Sequence, residues 1–223
     1  KYLFAYLAFY REKAIHEDRL LDLFWPDCPP NRARKNLSNA LYHLRQALGP
    51  EESAQWIVRE KSLYRTSFPP ASMLDTYHFT ARHAEARRLH GEGDTAGALI
   101  AAREAKRIFA GHFLEENLDD DWVLEPRQRF LDMFLEVLLI LAESFLKTGD
   151  HPQAAQHARK ALDENSTHER AHALLIESLW RNGKRDEAVK HYHRCTSIFK
   201  EELGLSPPPD VVALYLRLTS GTV

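Results

Sequence analysis

The stretch from residue 31 to residue 48 combines a helical apolar stripe with side chains that can bind nucleic acid. Its apolar residues recur at steps of three and four, which places them on one side of a helix: Ala33, Leu37, Leu41, Leu44 and Leu48. The stretch holds four Lys or Arg and no Asp or Glu. Arg, Lys, Asn and Ser bond phosphates and the base edges of the major groove. The pattern indicates a helix with a DNA-binding outer face, although a merely solvated basic face gives the same pattern.

The elements around this helix predict a winged helix-turn-helix. Pro29-Pro30 precede the helix and Gly49-Pro50 follow it, which sets both of its ends. Residues 3–10 and 16–24 have helical periodicity and are joined by a short extended link at Ala14-Ile15. Two β-prone runs, 56–59 and 63–66, predict a hairpin with a basic tip. In that fold the third helix enters the major groove, and the wing lies over an adjacent groove or the backbone.

This interpretation assigns the basic and polar side chains to three groups of DNA contacts. The residues expected to face the major groove are Arg34, Lys35, Ser38, Asn39 and Tyr42. The residues expected to bind phosphates, or base edges near the ends of the contact, are Arg32, His43 and Arg45. On the wing, Lys61 and Arg65 are expected to bind the backbone.

Two linked motifs in this region resemble a known class of DNA-binding domain. They are Arg19-Leu-Leu-x-Leu-Phe-Trp-Pro-Asp27 and Pro30-x-x-Ala-x-x-x-Leu37-Ser-x-x-Leu41-x-x-Leu44-Arg-x-x-Leu48-Gly49. They resemble response-regulator-type (OmpR/PhoB-type) winged helices, above all those of the antibiotic-regulatory (SARP) family of bacterial activators. The resemblance covers about residues 2–66. The family carries a small β-sheet before its first helix, for which this chain has no residues, so the resemblance implies an N-terminally truncated winged helix.

The second half of the chain contains an internal repeat whose period, about 34 residues, is that of tetratricopeptide repeats. Residues 141, 145, 149, 154 and 161 have counterparts at 175, 179, 183, 188 and 195, and an earlier copy at Gly93 and Ala98 precedes an insertion. The period predicts three helix pairs, 75–91 with 95–109, 127–147 with 151–163 and 167–182 with 185–202, and a last helix at 209–218. The chain is thus expected to be mainly α, with a winged helix-turn-helix at 1–66, a linker at 67–74 and a tetratricopeptide-like α-α superhelix at 75–218.

The repeat region also carries motifs that resemble the bacterial transcriptional activator domain, which follows the winged helix in the SARP family. The matching residues are Gly111-His-Phe-Leu114, Asp121-Trp122, Arg127, Glu169, Gly183, Tyr192 and Glu202-Leu-Gly-Leu-Ser-Pro207. The resemblance implies an activator that binds direct repeats in promoters and recruits RNA polymerase, as a homodimer or a side-by-side pair. The repeats would then supply a concave protein-binding surface.

Other residues that could bind a metal or take part in catalysis have simpler interpretations. In His191-x-His193-x-Cys195 the ligands are two positions apart on a helix, so they point to different sides and cannot close on one metal ion. His168 and His172 share a face but lack a third ligand. The aromatic residues Trp122, Phe130, Phe134 and Phe145 have the spacing of core residues. No nucleotide-binding or catalytic motif is present, so the sequence predicts no metal, no cofactor and no enzyme.

Charge and composition suit a nucleic-acid module joined to a different kind of unit. Residues 1–66 hold eleven Lys or Arg against eight Asp or Glu, and the remainder holds 19 against 24. The run from Glu115 to Asp121 is expected to be an exposed acidic loop. Cys28 and Cys195 are isolated and are expected to be reduced thiols in a cytoplasmic protein. No secretory signal or apolar run of about 18 residues occurs, so no membrane contact is expected.

Two alternatives to a DNA-binding activator follow from the same residues. Residue 1 already lies inside a helical pattern, so the chain is expected to be a fragment of a longer protein. A truncated winged helix without DNA affinity would leave a protein-interaction scaffold. A repeat groove that binds a peptide or small molecule would make the protein a ligand sensor.

Overall fold

The computed structural model describes residues 1–11, 13–49, 55–68, 74–117 and 120–220. The chain is mainly α-helical and forms two compact units, Lys1–Thr76 and Tyr77–Val223, called here the first unit and the repeat unit. Of the predicted linker at 67–74, residues 69–73 lie outside the described residues.

The first unit contains three helices and a small antiparallel sheet. Its elements are α1 (Tyr2–Phe9), β1 (Ile15–His16), α2 (Glu17–Phe24), α3 (Pro30–Leu48), β2 (Ile57–Glu60) and β3 (Leu63–Thr66). The strand order is β1-β3-β2, with Ile15 opposite Tyr64 and Ile57 opposite Thr66. The predicted order of three helices and a hairpin is therefore present. The predicted extended link at Ala14-Ile15 leads into strand β1, where Ile15 is buried and pairs with β3.

The core of the first unit joins all three helices to the hairpin. The largest side chains buried almost completely are Tyr6, Leu7, Leu20, Leu37 and Ile57. The Thr66 hydroxyl donates a hydrogen bond of 2.9 Å to the carbonyl oxygen of Leu7, which ties β3 to α1. The hairpin is thus part of the same core as the helices and does not form a separate flap.

The repeat unit consists of three helix pairs and a final helix. The helices are α4 (Asp75–Gly91), α5 (Thr95–Ile108), α6 (Leu124–Thr148), α7 (His151–Glu164), α8 (Glu169–Arg181), α9 (Arg185–Leu203) and α10 (Pro209–Thr219). Each begins and ends within three positions of its predicted bounds. Over the described ranges, no helix is both long enough and apolar enough to cross a membrane.

The turn inside each helix pair is built in the same way three times. Gly93, Gly149 and Gly183 all have positive φ angles, of 82°, 84° and 76°. In each turn the glycine N–H bonds a carbonyl three positions back, and the next residue bonds a carbonyl five positions back. This arrangement ends a helix at a left-handed residue. Five positions after each glycine an alanine is buried, which lets the paired helices approach closely.

The insertion between α5 and α6 is fixed by one arginine. The Arg127 guanidinium donates to the carbonyl oxygens of Phe113, Leu114 and Asn117 at 3.2, 2.7 and 2.9 Å. The four aromatic residues predicted to be core, at 122, 130, 134 and 145, are all buried. In the predicted acidic loop, Glu115 is exposed, but residues 118 and 119 lie outside the described residues. The insertion is therefore an ordered part of the repeat unit in the segments described.

Two histidines separated by one repeat are largely removed from solvent. His157 on α7 stacks on Phe145, and His191 on α9 contacts His172 through ring nitrogens 3.0 Å apart. Burial, followed by the charges of Lys106, Arg103 and Lys160, lowers the pKa of His157 to about 4. Burial, followed by His172, Arg194 and Arg159, lowers the pKa of His191 to about 4. Both rings are therefore neutral at neutral pH.

The glycine turns predict a conformational cost at Gly149 and Gly183. An added Cβ meets no atom within 4 Å at either position, so Gly→Ala changes there test the positive φ alone. We expect each to lower the free energy of unfolding by about 1–2 kcal/mol. Gly91→Ala is the matched control, because its Cβ also meets nothing and its φ is not in the left-handed region. Denaturant unfolding of the three variants measures this, and equal effects at all three positions would refute the explanation.

The two shielded histidines predict acid sensitivity of the repeat unit. An unfolded histidine takes up its proton near pH 6.5, but His157 and His191 do so only near pH 4. Between these values the unfolded chain binds more protons, so the free energy of unfolding falls as the pH is lowered from 6.5 towards 4. The loss is at most about 3 kcal/mol per histidine. The free energy of unfolding, measured across this pH range, should depend less steeply on pH in His191→Gln than in the original chain. His193→Gln alters an exposed histidine of the same helix and should leave this pH dependence unchanged.

Candidate nucleic-acid interface

The outer face of α3 presents a compact polar stripe. Lys35, Ser38, Asn39 and Tyr42 follow one another at helical spacings and are all exposed. Tyr42 is 59% exposed, so its ring and hydroxyl are accessible to a partner surface. On the opposite side of α3, the alanine and leucines at 33, 37 and 41 are buried. The predicted apolar spine and polar outer face are therefore both present.

Two of the predicted contacts lie at the edge of this stripe. Arg32 and His43 are exposed, and the His43 ring makes an edge-to-face contact with Tyr42 at a centroid distance of 5.5 Å. Pro30 occupies the first helical position, and the first turn of α3 carries no acidic residue. The positive end of the helix dipole is thus not neutralised by a side chain of the first turn.

A buried carboxylate connects α3 to the hairpin. Glu17, the first residue of α2, is only 8% exposed. Its carboxylate accepts a hydrogen bond from Arg59 of β2 at 2.5 Å and forms an ion pair with Arg34 of α3 at 3.3 Å. The Tyr64 hydroxyl on β3 donates to it at 3.4 Å. The Glu17 N–H also donates to the Ser62 carbonyl at 2.7 Å, so one residue joins α2, α3 and both strands of the hairpin.

Burial of the Tyr64 ring supports this arrangement. Burial, partly offset by the Arg59 charge, raises the pKa of the Tyr64 hydroxyl. The phenol therefore keeps its proton at neutral pH and can donate to the Glu17 carboxylate.

A second arginine of α3 is also engaged by the hairpin. Arg45 donates a hydrogen bond of 3.0 Å to the Ile57 carbonyl of β2. Arg34 and Arg45 therefore both take part in contacts inside the first unit, in addition to their predicted role in DNA binding. The central stripe, in contrast, has its polar groups turned outward.

The hairpin exposes the two predicted wing residues, Lys61 in the turn and Arg65 on β3. Lys61 has a φ of 58°, a left-handed conformation that is strained for a residue with a side chain, and the Arg59 Nε donates to its carbonyl oxygen at 3.0 Å. Arg65 on β3 is exposed and lies 3.5 Å from the Glu60 carboxylate. Glu60 belongs to β2, so the turn itself is the pair of residues 61 and 62.

Sequence reasoning missed the residues that hold α3 against the hairpin. Glu17 looks like an ordinary acidic residue in the first turn of a helix, and Arg59 and Tyr64 look like residues of a β-prone run. Their partners are 42 and 47 residues away in the chain. No local pattern contains that information.

The metal-ligating and thiol candidates do not form a site. Across the described parts of the chain, no group of three His, Cys, Asp or Glu side chains could hold a metal ion. Cys195 is buried, and burial together with the Glu169 charge raises the pKa of its thiol to about 11. A thiol of that kind is a packing group with little nucleophilic character at neutral pH.

Similar proteins are transcriptional regulators. Residues 74–219 match the bacterial transcriptional activator domain. Regulatory protein AfsR of Streptomyces griseus is 25% identical over 203 residues, which cover 89% of this chain and 20% of AfsR. Transcriptional regulatory protein MoaR1 of Mycobacterium tuberculosis is 24% identical over 216 residues, covering 96% of this chain and 70% of MoaR1. The chain thus spans a fifth of AfsR and more than two thirds of MoaR1.

Solved structures share the fold. That of Mycobacterium tuberculosis EmbR in complex with a low-affinity phosphopeptide covers 99% of this chain and 59% of its own, with a TM-score of 0.89 at 21% identity. The C-terminal TPR-containing domain of a Plasmodium falciparum protein covers 69% of this chain and 95% of its own, with a TM-score of 0.51 at 18% identity. At these identities the likeness concerns the fold alone.

The buried carboxylate predicts a stability difference between two glutamates of the first unit. Glu17→Gln removes a charge that accepts hydrogen bonds from β2 and β3 and pairs with α3, so we expect a loss of about 1–3 kcal/mol in the free energy of unfolding. Glu60→Gln removes an exposed carboxylate and should change it by less than about 1 kcal/mol. Chemical unfolding monitored by tryptophan fluorescence measures both. A Glu17→Gln variant as stable as Glu60→Gln would exclude a structural role for the buried carboxylate.

Proposed function

Because residues 74–219, more than half of the sequence, match the bacterial transcriptional activator domain, this chain belongs to that family, and we propose that it is a transcriptional activator that reads promoter DNA. In this proposal α1–α3 with the β2–β3 hairpin are a winged helix-turn-helix. The helix α3 enters the major groove and the hairpin is the wing.

One observation carries the proposal, namely the outer face of α3. It holds a lysine, a serine, an asparagine and a 59% exposed tyrosine at spacings that place them on one side of the helix. No acidic residue occurs along the whole length of α3. Amide and hydroxyl groups can read base edges, and cations bind phosphates. The exposed ring and hydroxyl of the tyrosine add an apolar contact surface and a hydrogen-bonding group to the same face.

The contacts described above suggest a role for each predicted residue. Lys35, Ser38, Asn39 and Tyr42 face the floor of the major groove. At the edges, Arg32 and His43 contact phosphates on one side, whereas Arg34 and Arg45 lie on the side nearer the hairpin. Lys61 and Arg65 bind the backbone from the wing. The Glu17 contacts keep α3 and the hairpin at a fixed separation, which supports simultaneous contact with adjacent grooves.

The repeat unit is proposed to contact protein. Its relatives regulate transcription, and helical repeats commonly use an extended surface to bind polypeptides. RNA polymerase is the partner that activation requires, and a pair of chains on direct repeats in the promoter would double the DNA contact. The proposal includes that two copies of the chain act as a homodimer and that the protein is located in the cytoplasm.

The first test is binding of the whole chain to a labelled double-stranded DNA of mixed sequence across a salt titration. We expect the logarithm of the binding constant to fall linearly with the logarithm of the salt concentration. The double change Arg32→Gln with Lys35→Gln removes two positive charges from the proposed DNA-binding face of α3 and leaves Glu17 and its partners intact. The slope should therefore fall by about two units.

The matched control removes two exposed lysines from the repeat unit. Lys147→Gln with Lys200→Gln makes the same change in net charge, and we expect it to leave the slope unchanged within error. If both double variants bind like the original chain, α3 does not lie in the groove. An absence of any binding at low salt would favour a protein-interaction scaffold.

A further inference from the structure

Each of the two shielded histidines of the repeat unit lies beside an arginine of the preceding paired helix. Arg103 on α5 acts electrostatically on His157 of α7, and Arg159 on α7 acts in the same way on His191 of α9. The two arginines have the same separation in the chain as the first two turn glycines. The two histidines have the same separation as the second and third turn glycines. The pairing is therefore a feature of the repeat and occurs at two successive helix contacts.

A second cation follows each histidine by one helical turn. Lys160 follows His157 and Arg194 follows His191, so these two cations are also one repeat apart. Together with a further lysine near each histidine, these residues define two groups. The first cationic cluster is Arg103, Lys106 and Lys160, and the second cationic cluster is Arg159, Lys190 and Arg194.

The second cationic cluster borders a cleft of about 250 Å³. The cleft is lined by Arg159, Leu175, Leu179, Glu187, Lys190, His191 and Arg194. The two leucines are buried at 2% exposure, so they form an apolar floor under the charged rim. The cleft opens to solvent and has room for a compact molecule.

The charges around this cleft do not cancel. Its one carboxylate lining group, Glu187, pairs with Arg159 at 3.3 Å and with Lys184 outside the cleft at 2.8 Å. Within the described residues, neither Lys190 nor Arg194 forms an ion pair. His191 is neutral at neutral pH because its pKa is lowered to about 4. The lining therefore carries two positive charges in excess.

We propose that the second cationic cluster binds a phosphate group, carried by a compact phosphate ester or present as the free ion. A phosphate dianion matches the two excess positive charges, whereas a carboxylate would leave one of them uncompensated. Arginine side chains offer paired donors that fit the oxygens of phosphate. The leucine floor offers contact for a small organic group of an ester. The site is independent of the DNA contacts assigned to α3.

The arrangement in the first cationic cluster supports this assignment. Arg103 and Lys160 lie over the rings of Phe145 and Phe134, at 5.0 and 5.6 Å from the centroids. Lys106 Nζ lies 3.5 Å from the His157 Nδ1, and burial together with Lys160 lowers the pKa of Lys106. The repeat thus places two cations at equivalent positions twice, Arg103 and Lys160 in one copy and Arg159 and Arg194 in the next, although each addition raises their mutual repulsion. A bound anion would relieve that repulsion.

The test follows the imidazole ¹⁵N signals of the isotope-labelled whole chain at pH 7.5. Inorganic phosphate and glycerol phosphate are titrated separately, with sodium chloride added to hold the ionic strength constant. We expect a saturable change in the His191 signals with both probes and little change for the exposed His193. Tighter binding of glycerol phosphate identifies a phosphate ester as the ligand, and equal binding identifies the free ion.

Two exposed substitutions locate the site. Arg194→Gln should weaken phosphate binding at least ten-fold, because it removes one of the two excess charges and a forked donor. Lys160→Gln makes the equivalent change in the first cationic cluster and should leave the His191 titration within two-fold of the original. The proposal is overturned if phosphate produces only the unsaturated response of sodium chloride, or if Lys160→Gln abolishes binding and Arg194→Gln does not.

Discussion

The first unit depends on one residue with a buried carboxylate, Glu17, which is bonded to four parts of the fold at once. Glu17 begins α2, and its side chain and backbone together bond β2, β3, α3 and the hairpin turn. Burial of a charge is costly unless it is paired and hydrogen-bonded, and here the two arginines and the tyrosine meet that requirement. Because Arg34 belongs to α3 and Arg59 to the hairpin, the same charge sets the position of the helix relative to the strands. A surface made of both elements can then meet a rigid partner without first being ordered.

In the repeat unit, the two helices of each pair are joined by the same short turn. A glycine in the left-handed conformation ends the first helix of each pair, and an alanine five positions later lies fully buried where the second helix crosses. The turns at Asp94 and Asp150 add a side-chain cap to the second helix, whereas Lys184 in the third turn makes no such bond. In stacked repeats of this kind, contacts between neighbouring pairs add to the stability of each pair.

Sequence reasoning succeeded where periodicity and backbone conformation coincide. The glycine and alanine period gave the helix pairs, and the apolar stripe of α3 gave its inner face. It could not find Glu17 as a connecting residue, because an acid in the first turn of a helix needs no partner elsewhere. It also could not identify Arg127 as the clamp of the insertion, although the residue was noted as part of a resemblance. Contacts between residues far apart in the chain do not appear in the spacing of residues along it. The residues of the candidate interface could therefore be predicted from their types, but the residues that hold them in place could not.

The contact between His172 and His191 fixes where the protons of both rings lie. A carbonyl oxygen can only accept, so the 2.8 Å contact between Ser166 and His172 Nε2 requires a hydrogen on that nitrogen. In its neutral form His172 then offers a lone pair at Nδ1, and the 3.0 Å contact makes His191 Nε2 the donor. Each ring is thereby held in one tautomer, and the basic nitrogen of His191 is its Nδ1. A backbone carbonyl at the entrance of α8 thus determines, through two rings, which atom of α9 receives a proton.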